Sequence, residues 1–439
     1  MRIAHLPSSF LPDTVGGTEV YVRNLCEELR TIGQEVAVVW HSDRNEAVNS
    51  YCMRLPVYAP SKRANLYTKS SGHEPHGFRE FLREWRPDVV HFHAFTLGAG
   101  YDHAALCVEE KIPYVVTYHT PAMSCPRGTL LRWGSEICDG RLDPQRCGEC
   151  VMQKRGWPWP LARLASRLSL GHTWLPDSPL TTRIALPSIL RTAQSYWSKF
   201  FSQASRVIAC AEFCRDVLIT NGVDSSQVQV LRQALPGHDR ERTLRLPVMR
   251  SAERPLRLGY FGRIAPEKGP KLLPDAVRAL RNQGIEAVGS WVGPCDEQQL
   301  WTKQLFSDGA PEVSYLHKKQ GDELAHWIRE QDVIVVPSIT LETGPLTVLE
   351  AWDQGVPVIG SNHSGIRDFM MAADLEDCLF EANNPVAIAT AVRRMLDWNR
   401  PAPVVKVPGM RTLAEQMIDI YKHANHSSES RDLTRFALL

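Results

Sequence analysis

Glu342 and Glu350 stand eight residues apart in DVIVVPSITLETGPLTVLEAWDQGVPVIGSN, the stretch from Asp332 to Asn362. Between them lie a Gly-Pro turn and the first residues of an amphipathic helix. Pro345 fits the first helical position, where its missing N–H costs nothing. The amides of Gly344, Leu346 and Thr347 then form a positive helix N-terminus suited to phosphate. Carboxylates on both sides of an anion site suit a ligand with hydroxyls on both sides of a phosphate, which is the layout of a nucleotide sugar. A second constellation is Gly262-Arg263-Ile264-Ala265-Pro266-Glu267-Lys268-Gly269. Arg263 and Lys268 can neutralise a diphosphate, each charge-assisted bond contributing about 1.5–3 kcal/mol. Surface glutamates and solvated cations share these residue types, so the elements around them have to separate the readings.

Those elements form two alternating series. In the first half, strand-like runs at Ile3–Leu6, Val36–Trp40, Val89–His93 and Tyr114–His119 alternate with helix-like runs such as Thr18–Leu29 and Phe78–Trp85. The pattern resumes with the strand Arg206–Cys210, the helix Glu212–Asn221 and the strand Val228–Leu231. The second series has strands at 256–261, 287–292, 313–317, 332–337 and 357–360 with helices between. Such alternation predicts parallel sheets covered on both faces, and ligands of these sheets bind outside the carboxyl ends of the strands. Val333 to Val336 is a continuous apolar run, as a buried parallel strand should be, and both constellations follow predicted strands. The chain is therefore divided into a first domain over 1–235, a charged linker over 236–254, a second domain over 255–408, and a C-terminal helix with a tail over 409–439.

Glu342 and Glu350, followed by Gly355-Val356-Pro357-Val358, resemble the E-x7-E signature of retaining glycosyltransferases of family 4, group 1. The resemblance implies an α/β GT-B fold: two Rossmann-like, doubly wound domains facing across a cleft, the last helix crossing back to the first domain. In that family the first Glu contacts the donor sugar and the second holds the ribose hydroxyls. Gly262 to Gly269 is similar to the family's G-R-x-x-x-x-K-G segment, which assigns Arg263 and Lys268 to the donor diphosphate. Many members read E-G-F-G where this chain has Glu342-Thr343-Gly344-Pro345, a variant that the family also contains. The implied chemistry is transfer of a sugar from a nucleotide diphosphate, UDP or GDP, to an acceptor hydroxyl with retention of configuration, in polysaccharide or glycolipid synthesis. No Asp-x-Asp pair occurs in the chain, and two protein cations can neutralise the diphosphate without a metal cofactor. The alternatives are a sucrose- or glycogen-synthase-type enzyme, or a catalytically silent relative that binds a partner or glycan. An NAD-dependent dehydrogenase is disfavoured, because no G-x-G-x-x-G is present.

Further residues carry weaker signals. Gly16-Gly17 follows the first strand and opens a helix; the family's Gly-Gly turn lies there, near donor and acceptor, and a plain tight turn would read alike. His119 ends a strand at a place where the family often has a His that contacts the donor sugar or the reacting centre. Thr120 follows it instead of the usual Asp, so roles that need the Asp do not carry over. His91 and His93 share a face of their strand, as core or acceptor-side histidines would. Cys125, Cys138, Cys147 and Cys150 include one pair with zinc-knuckle spacing; a structural Zn²⁺, disulfides and reduced thiols all remain open. They open an insertion over about 121–200. Its part from 152 to 200 carries Lys154, Arg155, Arg163, Arg167, Arg183, Arg191 and Lys199 against Asp177, interleaved with Trp157, Trp159, Trp174 and Trp197. That composition fits an ordinary packed insertion, an anionic membrane edge or a lipid-linked sugar acceptor.

The 439 residues are enough for two or three cores, and a formal net charge of +1 exerts no global pull on nucleic acid. No apolar run is long enough to span a bilayer. MRIAHLPSSF lacks the apolar core of a signal peptide. The expectation is a cytoplasmic enzyme with reduced cysteines, with peripheral contact at the inner membrane face if the basic tryptophan segment serves that end.

Overall fold

The computed structural model describes residues 1–14, 16–44, 50–58, 62–167, 171, 176–247, 253–296, 298–307 and 312–436, with side chains described up to 425. Two units are present. The first comprises Met1–Arg232 and the chain from Met410 onward; the second comprises Gln233–Gly409.

The first unit contains β1 (Arg2–Leu6), β2 (Glu35–His41), β3 (Cys52–Leu55), β4 (Val89–Phe92), β5 (Tyr114–Tyr118), β6 (Leu131–Arg132), β7 (Glu136–Ile137), β8 (Arg206–Ala209) and β9 (Val228–Val230). Seven of these form one sheet in the order β3-β2-β1-β4-β5-β8-β9, every neighbouring pair parallel. β4 and β5 are buried along their whole length, which explains their mostly apolar and aromatic character; the polar His91 and Thr117 within them hydrogen-bond to each other. β6 and β7 form a separate antiparallel hairpin. The helix Met410–Phe436 packs on the helix Gly17–Thr31 and lies against β4 and β5. Leu413, Met417, Tyr421 and Ala424 are buried at helical spacing along it, and the Tyr421 hydroxyl lies 2.8 Å from Nδ1 of His91.

The second unit contains β10 (Arg240–Thr243), β11 (Leu256–Phe261), β12 (Ala287–Val292), β13 (Val313–Tyr315), β14 (Val333–Val336), β15 (Val358–Ser361), β16 (Leu379–Phe380) and β17 (Val404–Val407). Its parallel sheet runs β13-β12-β11-β14-β15-β16. The strand order reverses between β11 and β14, so the loops leaving those two strands flank a topological switch point. Both strands are buried there: all four residues of β14 and every residue of β11 except Arg257.

Two stretches differ from the sequence reading. Within 236–254, which lacks an apolar pattern, Arg240–Thr243 forms a strand that pairs antiparallel with β17 in a separate two-stranded sheet, Arg240 opposite Val407. Residues 248–252 and Trp174 lie outside the described residues. The prolines at 144, 179 and 187, which break the pattern in sequence, occupy the first turns of the helices Pro144–Lys154, Pro179–Ile184 and Leu186–Ser202, where proline is tolerated. The last of these buries Trp197, Phe200 and Phe201. No described helix is long and apolar enough to cross a membrane.

Candidate active site

The loop leaving β11 carries Arg263 and Lys268, and the loop leaving β14 carries Glu342. Two backbone bonds stitch the loops together: the N–H groups of Ile339 and Thr340 both donate to the Glu267 carbonyl, at 3.0 and 3.2 Å. As a result, Lys268 Nζ donates directly to Glu342 Oε1. Ser338 Oγ adds a second hydrogen bond to the same oxygen, at 2.6 Å. Burial alone would raise the Glu342 carboxyl, but the Lys268 charge and the two hydrogen bonds outweigh it and hold the group below its usual range. Glu342 therefore stays ionised. Arg263 pairs with Glu267 at 2.7 Å, with 63% of its side chain exposed. Such a solvated pair is weak, so an incoming phosphate can exchange for Glu267.

The helix Leu346–Asp353 begins directly after that loop. Pro345 is its N-cap, in extended conformation, and Leu346 is the first helical residue. This shifts the sequence assignment by one position; Leu346 and Thr347 still carry first-turn amides without intrahelical acceptors. Gly344, at φ +139°, makes the bend that precedes them. Glu350 sits further along the helix, largely buried, and no hydrogen bond or ion pair is found for it among the described residues. Burial pushes its carboxyl up to about 7. Its folded value lies above its ordinary 4.5, so the folded state holds an extra proton between those values. Stability accordingly falls as pH rises through that window, by up to about 1.4 kcal/mol per pH unit. Glu350→Gln is expected to abolish this slope and to raise the thermal midpoint above pH 7, as read by unfolding curves across pH.

Two neighbours escaped the sequence reading. Ser338 lies four residues before Glu342, and His363 follows β15 with Nε2 buried and without a hydrogen-bond partner among the described residues. Burial lowers the His363 imidazole, against upward pulls from the Ser338 backbone and Glu342. The signal available in sequence was position alone: both follow the carboxyl end of a strand in this sheet.

In the first unit, Gly16 caps the helix Gly17–Thr31 in extended conformation, and a side chain at Gly17 would meet nothing within 4 Å. His119 is buried just past β5. Its Nε2 lies 3.0 Å from His93 Nδ1, and His93 Nε2 lies 2.9 Å from His5 Nδ1. His91 joins Tyr421 and, at 2.7 Å, Thr117. Burial drives His119 and His5 down to about 3, so these rings are neutral. His119 is held in this chain of histidines from three neighbouring strands, a depth that strand-end position did not reveal. Cys125, Cys138, Cys147 and Cys150 are free thiols that line a single cavity.

The second unit brings Arg263, Lys268, Glu342, Glu350 and the start of the helix Leu346–Asp353 to one sheet edge; Gly16, Gly17, His119 and the cysteines belong to the first unit. Residues 255–397 match the family Glycosyl transferases group 1, and residues 15–142 match Glycosyltransferase Family 4, together more than half of the chain. The chain is 26% identical over 415 residues to a D-inositol 3-phosphate glycosyltransferase of Frankia alni, covering 87% of this chain and 86% of that one. It is 26% identical over 190 residues to the amylovoran biosynthesis glycosyltransferase AmsK of Erwinia amylovora; there the match covers 42% of this chain and only 45% of the relative. Among solved structures, Anabaena HepE in complex with UDP and glucose superposes with a TM-score of 0.54 at 14% identity, over 98% of this chain and 99% of that one. The lipopolysaccharide-biosynthesis glycosyltransferase WaaG gives 0.51 over 98% and 96%. The two parallel-sheet units thus have the GT-B fold, and the chain belongs to the family 4, group 1 glycosyltransferases.

Proposed function

We propose that this protein transfers a sugar from a nucleotide-diphosphate sugar to an acceptor hydroxyl with retention of configuration and without a catalytic metal. One observation carries the reading: Lys268 is paired to Glu342 at the switch point, beside a helix start, while Glu350, on that helix, is largely buried with a raised carboxyl and no partner among the described residues. Arg263, Lys268 and the amides of Leu346 and Thr347 would bind the diphosphate. Glu342 would accept hydrogen bonds from the sugar and Glu350 from the ribose. In the reaction, the bond between the anomeric carbon and the β-phosphate oxygen breaks, and the acceptor oxygen bonds to that carbon on the same face. The departing phosphate takes the acceptor proton. Charge develops on the diphosphate, where preorganised cations and amides stabilise the transition state more than the ground state. His119, neutral and sequestered, is given no proton to move.

The donor base is read as uracil or guanine. Structures with this fold contain UDP or ADP, and one relative is a GDP-mannose-dependent mannosyltransferase of Mycolicibacterium smegmatis. The acceptor is read as a glycan or lipid-linked sugar, in polysaccharide or glycolipid synthesis at the cytoplasmic side, in keeping with relatives named as glycosyltransferases of amylovoran biosynthesis and, in Escherichia coli, of colanic acid biosynthesis. Thermal unfolding against UDP, GDP and ADP in magnesium-free buffer tests this. A diphosphate at 100 times its dissociation constant should add about 2.7 kcal/mol, a shift of several degrees. A shift for one nucleotide names the base. A shift that appears only with magnesium overturns the assignment of charge neutralisation to Arg263 and Lys268, and no shift under either condition favours a catalytically silent protein.

A further inference from the structure

Four cysteines that span 26 positions of sequence converge in the first unit. Cys125 follows the short turn Pro121–Met123 and donates its N–H to the Pro121 carbonyl at 2.8 Å. Cys138 follows the β6–β7 hairpin, its N–H bonded to the Leu130 carbonyl at 2.8 Å. Cys147 and Cys150 lie three residues apart on the helix Pro144–Lys154, hence on one face. Asp143 fixes that helix start by accepting from the N–H groups of Gln145 and Arg146 at 2.9 and 2.8 Å. All four thiols line the same cavity, and no disulfide joins them.

The surroundings of this cavity ask for negative charge. Arg127, Arg132 and Arg146 line it together with the thiols. Arg146 is matched by Asp139 at 2.5 Å, and Arg127 donates to the Cys150 carbonyl at 3.2 Å. Arg132 stacks on Trp133 and has no carboxylate partner among the described residues; its Nε is buried and unpaired. An unpaired buried donor of this kind costs free energy unless an anion meets it. The Trp133 N–H donates to Cys150 Sγ at 3.4 Å, a bond that a thiolate accepts better than a thiol.

We infer that Cys125, Cys138, Cys147 and Cys150 bind one structural Zn²⁺ as a tetrahedral tetrathiolate. Binding turns four thiols into thiolates, forms four Zn–S bonds and releases four protons to solvent. The centre carries a net charge of −2, which Arg132 and its two neighbouring arginines offset. Zn–S bonds of about 2.3 Å require the sulfurs to close on the ion. They are not drawn together beforehand: among the described residues, the only three His, Cys, Asp or Glu ligand atoms within 4.8 Å of one another belong to His5, His91 and His93. The ion therefore ties the hairpin to the helix Pro144–Lys154 and adds its binding free energy to the fold of this segment. The histidine trio is the weaker site, because its ring nitrogens are engaged with one another, His119, Tyr421 and Thr117, leaving only His5 Nε2 of the three without a partner among the described residues.

Elemental analysis of the full chain purified without chelator should find one zinc per chain. Cobalt(II) loaded into chelator-treated protein should give sulfur-to-metal charge-transfer absorption. Cys147→Ser and Cys125→Ser should lose the zinc, whereas Cys52→Ser, outside the cavity, should keep it. Should the cysteine variants fail to fold, the cobalt spectrum of the parent chain still decides. Zinc-free protein that takes up no cobalt overturns the proposal, as does a disulfide among the four cysteines in alkylated protein. Zinc retained by the folded Cys147→Ser variant also overturns it, in favour of the histidines.

Discussion

Lys268→Met is expected to lower kcat/KM for the donor by about 10²–10³-fold, the scale lost when one preorganised group that stabilises transition-state charge is removed. Most of the loss should appear in kcat, because charge on the diphosphate grows as the sugar departs. Methionine keeps the length and packing of the lysine stem while removing its charge. The same change leaves Glu342 without its cation. Lys268 has 27% of its side chain exposed and Glu342 15%, so the orphaned carboxylate is only partly relieved by water, and a stability loss of about 1–3 kcal/mol should accompany the lost activity. Initial-rate measurements over donor concentration, with unfolding curves on the same preparations, separate the two effects. Unchanged turnover would remove Lys268 from the diphosphate. A variant that loses stability alone would make the Lys268–Glu342 pair purely structural.

The second large effect concerns the platform under Arg263. Gly293 follows β12 at φ +150°, and a Cβ there would come within 1.8 Å of the Gly262 carbonyl oxygen. That approach is part of a backbone seam: the Gly262 N–H bonds to the Val292 carbonyl at 3.0 Å and the Ile264 N–H to the Pro294 carbonyl at 2.9 Å. Gly293→Ala therefore has to move the turn that presents Arg263, in addition to adopting a backbone conformation unfavourable for alanine. Strain and overpacking together should cost about 3–5 kcal/mol, a fall of roughly 10 °C or more in thermal midpoint for a domain of this size. Gly284→Ala provides the control. It has φ +77° with nothing within 4 Å of the added Cβ, so it isolates the conformational cost at about 1 kcal/mol. Equal losses in the two variants would show that the seam does not constrain the loop.

The long apolar strands were legible because their signals are local. Val333–Val336 is a continuous apolar run and Tyr114–Tyr118 is apolar or aromatic except for Thr117, as burial on both faces requires. β3 and β17 escaped notice because a cation, Arg54 or Lys406, interrupts each four-residue run, and β16 because it has two residues. β10 escaped for a different reason: its residues, Arg-Glu-Arg-Thr, alternate without an apolar face, and only pairing with β17, far along the chain, makes them a strand.

The sequence by itself determined the alternating α/β order, the strand-end positions of Arg263, Lys268 and Glu342, and the placement of Glu350 on the following helix. Each depends on neighbours within a few residues, where turn chemistry and helical spacing operate. The tertiary structure alone decided that Lys268 meets Glu342 across 74 residues, that Glu350 is largely buried with no partner among the described residues, that His119 is sequestered in a histidine chain, and that four cysteines share one cavity. Those outcomes depend on which strands lie side by side and on how much water the packing excludes. Charge pairing and desolvation act through space, at distances that spacing along the chain does not encode.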